Sequence, residues 1–131
     1  MRFFAQTYLR CYKTAEIAFS DKKIPIIKDA RLRECDYGDL TCHPSPEVDI
    51  EKPKRITEKF PNGESYEDTA VRIKSFLEDL LKNYDGKKVM IIGHRVTQYG
   101  LEYWIKKVPL REAVTAPWKW QPDWIYLLEK I

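Results

Sequence analysis

The sequence is poor in histidine, cysteine and glycine, and each shortage removes support for a class of site. Its 131 residues include two His, three Cys and five Gly. The cysteines (Cys11, Cys35 and Cys42) lack Cys-x-x-Cys spacing, so neither a zinc-ligand set nor a disulfide framework is predicted. The glycines form no G-x-G-x-x-G, P-loop or G-x-S-x-G motif, which leaves nucleotide cradling and serine-hydrolase chemistry unsupported. We therefore expect no metal and no organic cofactor.

The chain also lacks long apolar runs and a strong charge of either sign. No stretch of about 18 consecutive apolar residues occurs, and the first residues do not resemble a secretion signal. The net charge of +3 falls well short of a nucleic-acid-binding surface. We expect a single cytoplasmic domain over residues 1–131 that has no membrane and no nucleic-acid partner.

Hydrophobic patterning predicts an α/β fold, with a mostly parallel sheet flanked by helices on both faces. The clearest helix runs from Tyr66 to Tyr84, where apolar residues recur along one continuous face. Ser65 and Asp68 resemble a capping box at its start, and Asp85-Gly86 is expected to end it. A β-rich apolar run then follows, so helix and strand alternate as they do in parallel sheets.

Weaker patterns supply the remaining elements. Strands are predicted from Phe3 to Ala5, Ile24 to Ile27, Lys88 to Ile92 and Trp124 to Leu128, and helices from Arg10 to Ser20 and from Thr97 to Lys107. The segment from Cys42 to Pro61 holds four prolines and many charges, which predicts an irregular loop. A loop of that length is often functional, and we expect its part from Pro44 to Pro61 to border the mouth of the substrate pocket together with the segment from Trp118 to Trp120.

Three polar residues lie where reactive groups collect in α/β sheets. His94 directly follows a predicted buried strand, and Arg10 lies at a strand-to-helix corner where a guanidinium can bind a phosphate or carboxylate. Glu34 precedes a turn and could act as a general acid. Taken singly, each residue more often has a plainer explanation: His94 as a core histidine, Arg10 as a surface arginine and Glu34 as a solvated carboxylate. His43 lies in the proline-rich segment and is expected at the surface.

Taken in order along the chain, four motifs become far more specific: Leu9-Arg10-Cys-Tyr-Lys-Thr14-Ala15-Glu16, Leu32-Arg-Glu34-Cys-Asp-Tyr-Gly38, Gly63-Glu64-Ser65 and Ile91-Ile-Gly93-His94. This series resembles the histidine phosphatase family, also called phosphoglycerate-mutase-like. The resemblance implies that His94 is the second active-site histidine, which helps to hold the transferred phosphoryl group. It likewise implies that Arg10 clamps the phosphate and that Glu34 donates a proton to the leaving oxygen.

Two neighbouring features complete the predicted site. Arg95 adds positive charge beside His94 and is a substrate-binding candidate. Ser65 explains Gly63-Glu64-Ser65 as a helix cap, so these residues receive no predicted catalytic role. The expected partner is a small phosphorylated substrate.

One family feature has no counterpart in this sequence. The family's Arg-His-Gly segment, whose histidine accepts the phosphoryl group, does not occur here. We expect the chain to lack the family's first strand and helix and to be inactive by the phosphohistidine route. The leading hypothesis is a phosphatase acting on a phosphomonoester, with phosphoglycerate mutase action ranked below it. The alternative is a non-catalytic phospho-ligand-binding or self-associating remnant of the fold, which leaves homo-oligomer formation open.

Overall fold

The fold was determined as a computed structural model that describes residues 1–5, 9–121 and 124–131, with only the backbone described at positions 3 and 9. Over these residues the chain forms, in order, β1 (Arg2–Ala5), α1 (Leu9–Phe19), β2 (Ile26–Lys28), α2 (Ser45–Arg55), α3 (Tyr66–Asn83), β3 (Val89–Ile92), α4 (Arg95–Trp104) and α5 (Leu110–Thr115). Short 3-10 turns lie at Ser20–Lys22, Ala30–Leu32 and Gly38–Leu40.

The three strands form a parallel sheet in the order β2-β1-β3. Phe4 in the central strand pairs with Ile27 on one side and with Ile91 on the other. The connection from β1 to β2 runs through α1, whereas the connection from β2 to β3 returns past β1 through α2 and α3. Right-handed crossovers in these opposite directions place α1 and α3 on opposite faces of the sheet. The predicted α/β class is confirmed.

The reversal of strand order beside β1 determines where a site can form. In open parallel sheets, ligands bind where neighbouring strands send their following helices to opposite sides. Here α1 leads away from β1 toward β2, whereas β3 is followed by α4. That rule places the expected binding crevice at the carboxyl ends of β1 and β3, beside the starts of α1 and α4.

The apolar core consists of two clusters. The first lies between the sheet and α3, where the Phe4 ring meets Phe76 and Tyr84 edge-to-face at centroid distances of 5.2 and 5.4 Å. Such aromatic pairs add to the free energy already gained by burying their area. The second cluster joins α2, α3, α4 and α5 and contains Cys35, Val48, Ile56, Phe60, Tyr66, Val96, Tyr99 and Val114. The two clusters hold the ends of α3 and α4 at fixed positions beneath the crevice.

The predicted helix over 66–84 is confirmed as α3. The Asp68 amide donates to the Ser65 hydroxyl at 3.1 Å and the Ser65 amide donates to the Asp68 carboxylate at 2.9 Å, which forms the expected capping box. The helix ends with Tyr84 as its C-cap, immediately before Asp85-Gly86. None of the described helices, α3 included, has the length and apolarity needed to cross a bilayer.

The prediction of an irregular loop from Cys42 to Pro61 was wrong, because the structure forms α2 there. Pro46 lies in the first turn of this helix, where a missing N–H breaks no helical hydrogen bond. Pro53 lies near the other end, and the buried side chains of Val48 and Ile56 anchor the helix to the second cluster. Proline count misjudged the segment because Pro46 fits the first turn and α2 tolerates Pro53, which lacks the N–H that would donate to the Asp49 carbonyl oxygen.

Two other elements differ from the predictions. Residues 124–128 are not a strand, although their side chains alternate between half-buried and exposed, since no described strand pairs with them. The helix expected from Thr97 to Lys107 begins earlier and ends sooner, at Arg95 and Trp104. The sequence reading also missed α5, whose six residues are too short for a periodic signal.

Gly100 in α4 packs so closely against α3 that a methyl group there should destabilise the fold. A Cβ atom at this position would lie 2.6 Å from Cγ2 of Ile73. Overpacking of this kind costs about 1–3 kcal/mol, which we expect to exceed the roughly 1 kcal/mol that alanine gains in a helix. Gly100→Ala should therefore lower the free energy of unfolding measured in urea.

The matched control trims the obstructing side chain. Ile73→Ala removes Cγ1 and Cγ2 but keeps Cβ, which would still lie 2.8 Å from the new methyl group. Gly100→Ala should therefore cost less stability in an Ile73→Ala background than in the wild type. If the changes in unfolding free energy of the two single variants add up to that of the double variant, the close contact between these sites is contradicted.

Candidate active site

His94 lies where the crevice at the sheet edge begins. It follows β3 after Gly93 and is the N-cap residue of α4. Its backbone N–H donates to the Thr97 hydroxyl at 3.2 Å, and that hydroxyl donates to the Leu32 carbonyl oxygen at 3.2 Å. Thr97 is itself buried, so one interior hydroxyl ties the start of α4 to the loop that follows β2. The backbone around His94 is thereby fixed.

Arg10 and Cys11 approach the two nitrogens of the same imidazole from the first turn of α1. Nη2 of Arg10 lies 3.4 Å from Nδ1 of His94, and Sγ of Cys11 lies 3.3 Å from Nε2. A guanidinium has no acceptor, so Nδ1 accepts in this contact and the ring proton of a neutral imidazole resides on Nε2. Residues 84 positions apart in the sequence thus meet across the carboxyl ends of β1 and β3.

Glu34 reaches the cluster from the loop after the 3-10 turn Ala30–Leu32. Its Oε2 lies 4.0 Å from Nδ1 of His94, while its Oε1 accepts a hydrogen bond from the Cys35 amide at 2.9 Å. The structure therefore brings together Arg10, Glu34 and His94, the three residues that the sequence put forward. Their proposed chemical roles stay predictions.

Burial and charge fix the protonation state of this cluster at neutral pH. Burial of the imidazole lowers the pKa of His94 below its ordinary value, Glu34 opposes that effect, and Arg10 adds to it. Burial likewise raises the pKa of the Cys11 thiol, despite the nearby Arg10 guanidinium. At pH 7 the cluster consists of a guanidinium, a neutral imidazole and an un-ionised thiol. The thiol is consequently a poor nucleophile.

Arg95 turns toward a neighbouring cavity. Its guanidinium carbon lies 4.7 Å from the centroid of the Trp118 ring, a cation–π contact. Arg95 also lines a cavity of about 500 Å³ with residues of α2, α4 and the segment after α5, Lys52, Tyr99 and Trp118 among them. Residues of α2 and Trp118 thus line this cavity, whose lining includes none of Arg10, Glu34 and His94. That these segments border the pocket of those three residues stays a prediction. Trp120 is exposed.

Sequence reasoning missed an ion pair behind Glu34. Arg72 on α3 donates from Nε and Nη2 to the two carboxylate oxygens of Glu64 at 3.0 and 3.1 Å. Arg33 adds a third bond to Glu64 at 3.0 Å. The available signal was an arginine beside the apolar face of α3, between the buried Thr69 and Phe76. The interpretation of Gly63-Glu64-Ser65 as a cap explained Ser65 but overlooked its neighbour.

The remaining candidate ligands do not form a site. His43 is exposed, as expected, and its Nδ1 lies 2.6 Å from the Glu47 carboxylate one helical turn away. Across residues 1–5, 9–121 and 124–131, no group of three or more His, Cys, Asp or Glu side chains is placed to hold a metal ion. Cys11 and Cys35 are buried free thiols, whereas Cys42 is an exposed one.

Residues 3–119 match the family model described as the histidine phosphatase superfamily (branch 1). The chain is 32% identical to a relative named "Uncharacterized phosphatase PhoE" from Bacillus subtilis (strain 168), over 70% of this chain and 46% of that protein. It is 33% identical to "Probable phosphoglycerate mutase GpmB" from Enterobacter sp. (strain 638), over 66% of this chain and 44% of that protein. The chain thus spans about half the length of these relatives.

Solved structures share the fold at lower sequence identity. "Bacillus stearothermophilus YhfR" superposes with a TM-score of 0.72 at 24% identity, covering 89% of this chain and 62% of that one. A mycobacterial glucosyl-3-phosphoglycerate phosphatase with inorganic phosphate superposes with a TM-score of 0.73 at 20% identity, covering 86% of this chain and 62% of that one. These similarities confirm the predicted phosphoglycerate-mutase-like architecture.

Inorganic phosphate should raise the pKa of His94. An anion held beside the imidazole favours its charged form, which burial and Arg10 disfavour in the free cluster. NMR titration of the two histidines with and without phosphate measures this shift directly. The exposed His43 is the internal control, because its partner Glu47 already supplies a negative charge. An unchanged His94 titration at saturating phosphate would exclude the cluster as an anion site.

Proposed function

The chain belongs to the histidine phosphatase superfamily (branch 1), and on that premise we propose that Arg10, Glu34 and His94 serve the hydrolysis of a phosphomonoester. The observation that carries the proposal is the meeting of these three side chains around one imidazole nitrogen, at 3.4 and 4.0 Å. A cation, a neutral ring and a carboxyl group are the components that phosphoryl transfer needs around a tetrahedral anion.

Each group has a distinct task in the proposed reaction. Arg10 binds two phosphate oxygens through its planar guanidinium, and His94 donates a hydrogen bond to another. The Glu34 carboxylate first takes up a proton from solvent beside the bound phosphate group. As the bond between phosphorus and the leaving oxygen breaks, the protonated carboxyl passes that proton to the oxygen, which departs as an alcohol. Phosphorus forms its new bond to the attacking nucleophile. The protein contributes positioning and charge and leaves the covalent step to that nucleophile.

The nucleophile distinguishes this polypeptide from the complete family site. The phosphohistidine route implied by family membership requires a histidine to attack phosphorus, and this sequence contains His43 and His94 alone. His43 is exposed and paired with Glu47, while His94 contacts Arg10 and Cys11. We propose that the 131-residue polypeptide by itself binds phosphate groups but turns them over poorly.

The leaving group of the substrate is proposed to occupy the cavity beside Arg95. This cavity of about 500 Å³ is large enough for a small organic group, and Arg95 in its lining directly follows His94 in the sequence. Arg95 gives it positive charge, whereas the charge of Lys52 is paired with Asp49 at 2.9 Å, and Tyr99 and Trp118 offer flat apolar faces. A small phosphorylated molecule is therefore the proposed partner, with Arg95 contacting its non-phosphate portion.

A second candidate function is supported by the state of β3. All four of its side chains are only partly buried, and its outer edge pairs with no strand in the described part of the chain. Unpaired strand edges promote association between chains. The polypeptide would then be a phospho-ligand-binding and self-associating protein. Sedimentation with and without inorganic phosphate tests this function. Dimer formation that increases with phosphate, in a chain that hydrolyses no phosphomonoester, would favour it.

Arg10→Lys should weaken the binding of inorganic phosphate about tenfold, because an ammonium cannot bind two oxygens side by side. Isothermal titration calorimetry at fixed ionic strength measures this affinity. Arg111→Lys is the matched control, since Arg111 is exposed on α5 and bonds only weakly, at 3.3 Å, to a backbone carbonyl. Equal affinities for wild type and Arg10→Lys would remove Arg10 from the proposed site.

Added imidazole should accelerate the release of p-nitrophenol from p-nitrophenyl phosphate by the wild-type chain. Its ring nitrogen attacks phosphorus in place of the missing histidine, nitrophenolate leaves, and the phosphoimidazole is then hydrolysed by water. Because this activated leaving group needs no proton, the assay isolates Arg10 and His94. His94→Ala should abolish the acceleration. Intact phosphate binding with no imidazole-dependent release would contradict the hydrolytic function and favour the binding protein.

A further inference from the structure

Arg72 and Glu64 form an ion pair that lies behind the cluster and grips the loop carrying Glu34. We infer that this pair is a positioning device, which holds the Glu34 carboxylate beside the His94 imidazole. The catalytic meaning of that placement rests on the proposed function, in which Glu34 donates a proton. The placement itself is a property of the fold and is testable in the absence of any substrate.

Arg72 supplies hydrogen bonds that the loop cannot obtain from regular structure. Residues 33–37 lie between two 3-10 turns and belong to no helix or strand. Nη1 of Arg72 donates to the carbonyl oxygens of Arg31 at 2.7 Å and Arg33 at 2.9 Å, and Nη2 donates to that of Glu34 at 3.1 Å. One guanidinium, with a side chain only 10% exposed, thus binds three carbonyls of a four-residue stretch.

Glu64 holds the loop on both sides of Glu34. Besides the two bonds from Arg72, its carboxylate accepts from the Arg33 guanidinium at 3.0 Å and from the Asp36 amide at 3.0 Å. The Glu64 amide in turn donates to the Asp36 carbonyl oxygen at 2.8 Å. Glu34 therefore lies between two residues that are both tied to the same carboxylate.

The charge state of Glu64 suits this task. Burial alone would raise the pKa of its carboxyl, but the hydrogen bonds from Arg72 and Asp36 lower it below the ordinary value. Glu64 is consequently ionised throughout the neutral range. Its negative charge pairs with Arg72 and orients the Arg72 guanidinium toward the loop. Protonation of Glu64 would weaken three charge-assisted bonds at once, two from Arg72 and one from Arg33.

Stability alone is a poor explanation for such a pair. Two charges removed from water lose much of their solvation, and apolar residues of equal volume often stabilise a protein as well or better. An apolar pair at positions 64 and 72 could not bind three carbonyls or an amide, however. The pair therefore contributes directional hydrogen bonds, and these fix the position of the loop and of its Glu34 side chain.

His94 reports the position of Glu34 because the two groups interact electrostatically. The charged groups facing the imidazole in the described structure are Arg10 from α1 and Glu34 from the loop, with the neutral Cys11 thiol beside them. Glu34 raises the pKa of His94 against the larger lowering effect of burial. Any movement of Glu34 away from its separation of 4.0 Å should lower the pKa of His94.

Arg72→Lys is the principal test, because lysine keeps the positive charge but cannot reach three carbonyls and a carboxylate together. The pKa of His94, measured by NMR titration without phosphate, should fall in the same direction as in Glu34→Gln. Combining both substitutions should produce no further fall, since Arg72 acts through Glu34. A folded Arg72→Lys whose His94 pKa stays within about 0.1 of the wild-type value would overturn the inference.

Arg55→Lys provides the matched control. Arg55 is similarly buried, with 12% of its side chain exposed, and it pairs with Glu51 at 2.8 Å in α2. We expect this variant to lose comparable stability without moving the His94 titration. If Arg72→Lys does not fold, Glu64→Gln gives the same readout with an isosteric side chain. If the His94 pKa also falls in Arg55→Lys, the effect comes from general destabilisation of the fold, and the positioning role of Arg72 is rejected.

The outcomes separate this inference from the proposed function. Phosphate binding and imidazole rescue test the function through Arg10 and His94, whereas the substrate-free titration tests the placement of Glu34 through Arg72. If the chain binds no phosphate but the His94 pKa falls in Arg72→Lys, the positioning role stands and the proposed reaction is rejected. If the chain binds phosphate but the His94 pKa is unchanged in Arg72→Lys, the proposed reaction stands and the positioning role is rejected.

Discussion

The reversal of strand order beside β1 is the constraint on which the candidate site depends. It sends the chain after β1 and the chain after β3 in opposite directions, so that the first turn of α1 and the N-cap of α4 face one another. Arg10 and His94 then meet at 3.4 Å although 84 positions separate them. Neither residue depends on a long flexible loop, and each lies within the first turn or cap of a helix. Such placement limits how far either group can stray.

Glu34 differs from its two neighbours because no regular element carries it. The energetic problem of an irregular loop is its backbone, whose polar groups need partners once water is excluded. Arg72 and Glu64 solve that problem from α3 and from the residue just before its N-cap. The buried face of α3 therefore serves two tasks at once: its apolar residues pack the sheet, and one arginine beside them binds the loop.

The sequence predicted local structure well wherever local signals decided it. The Ser65 cap, the apolar face of α3 and the strand leading into Gly93 all reappear, because period and capping reflect interactions within a few residues. Motif order predicted the family, since it sums weak signals over the whole chain. The Arg72–Glu64 pair was not predicted because Arg72 binds loop residues about forty positions earlier in the sequence. These bonds to the carbonyl oxygens of Arg31, Arg33 and Glu34 leave no local pattern. The segment that forms α2 was misjudged because proline's effect depends on its position within a helix.

The cluster sets the positive charge of Arg10 beside a neutral imidazole, and this arrangement favours an anion. Nη2 of Arg10 lies 3.4 Å from Nδ1 of a ring that burial keeps neutral, which is a long contact for a charged donor. A phosphate group in the crevice would accept from Arg10 in stronger, charge-assisted bonds and would simultaneously make protonation of His94 favourable. Glu34 lies 4.0 Å from the same nitrogen, so in the proposed reaction its proton would have a short path to a leaving oxygen. Phosphate binding and proton supply would then depend on neighbouring groups, and the loop that carries Glu34 would need to be held as firmly as the helices.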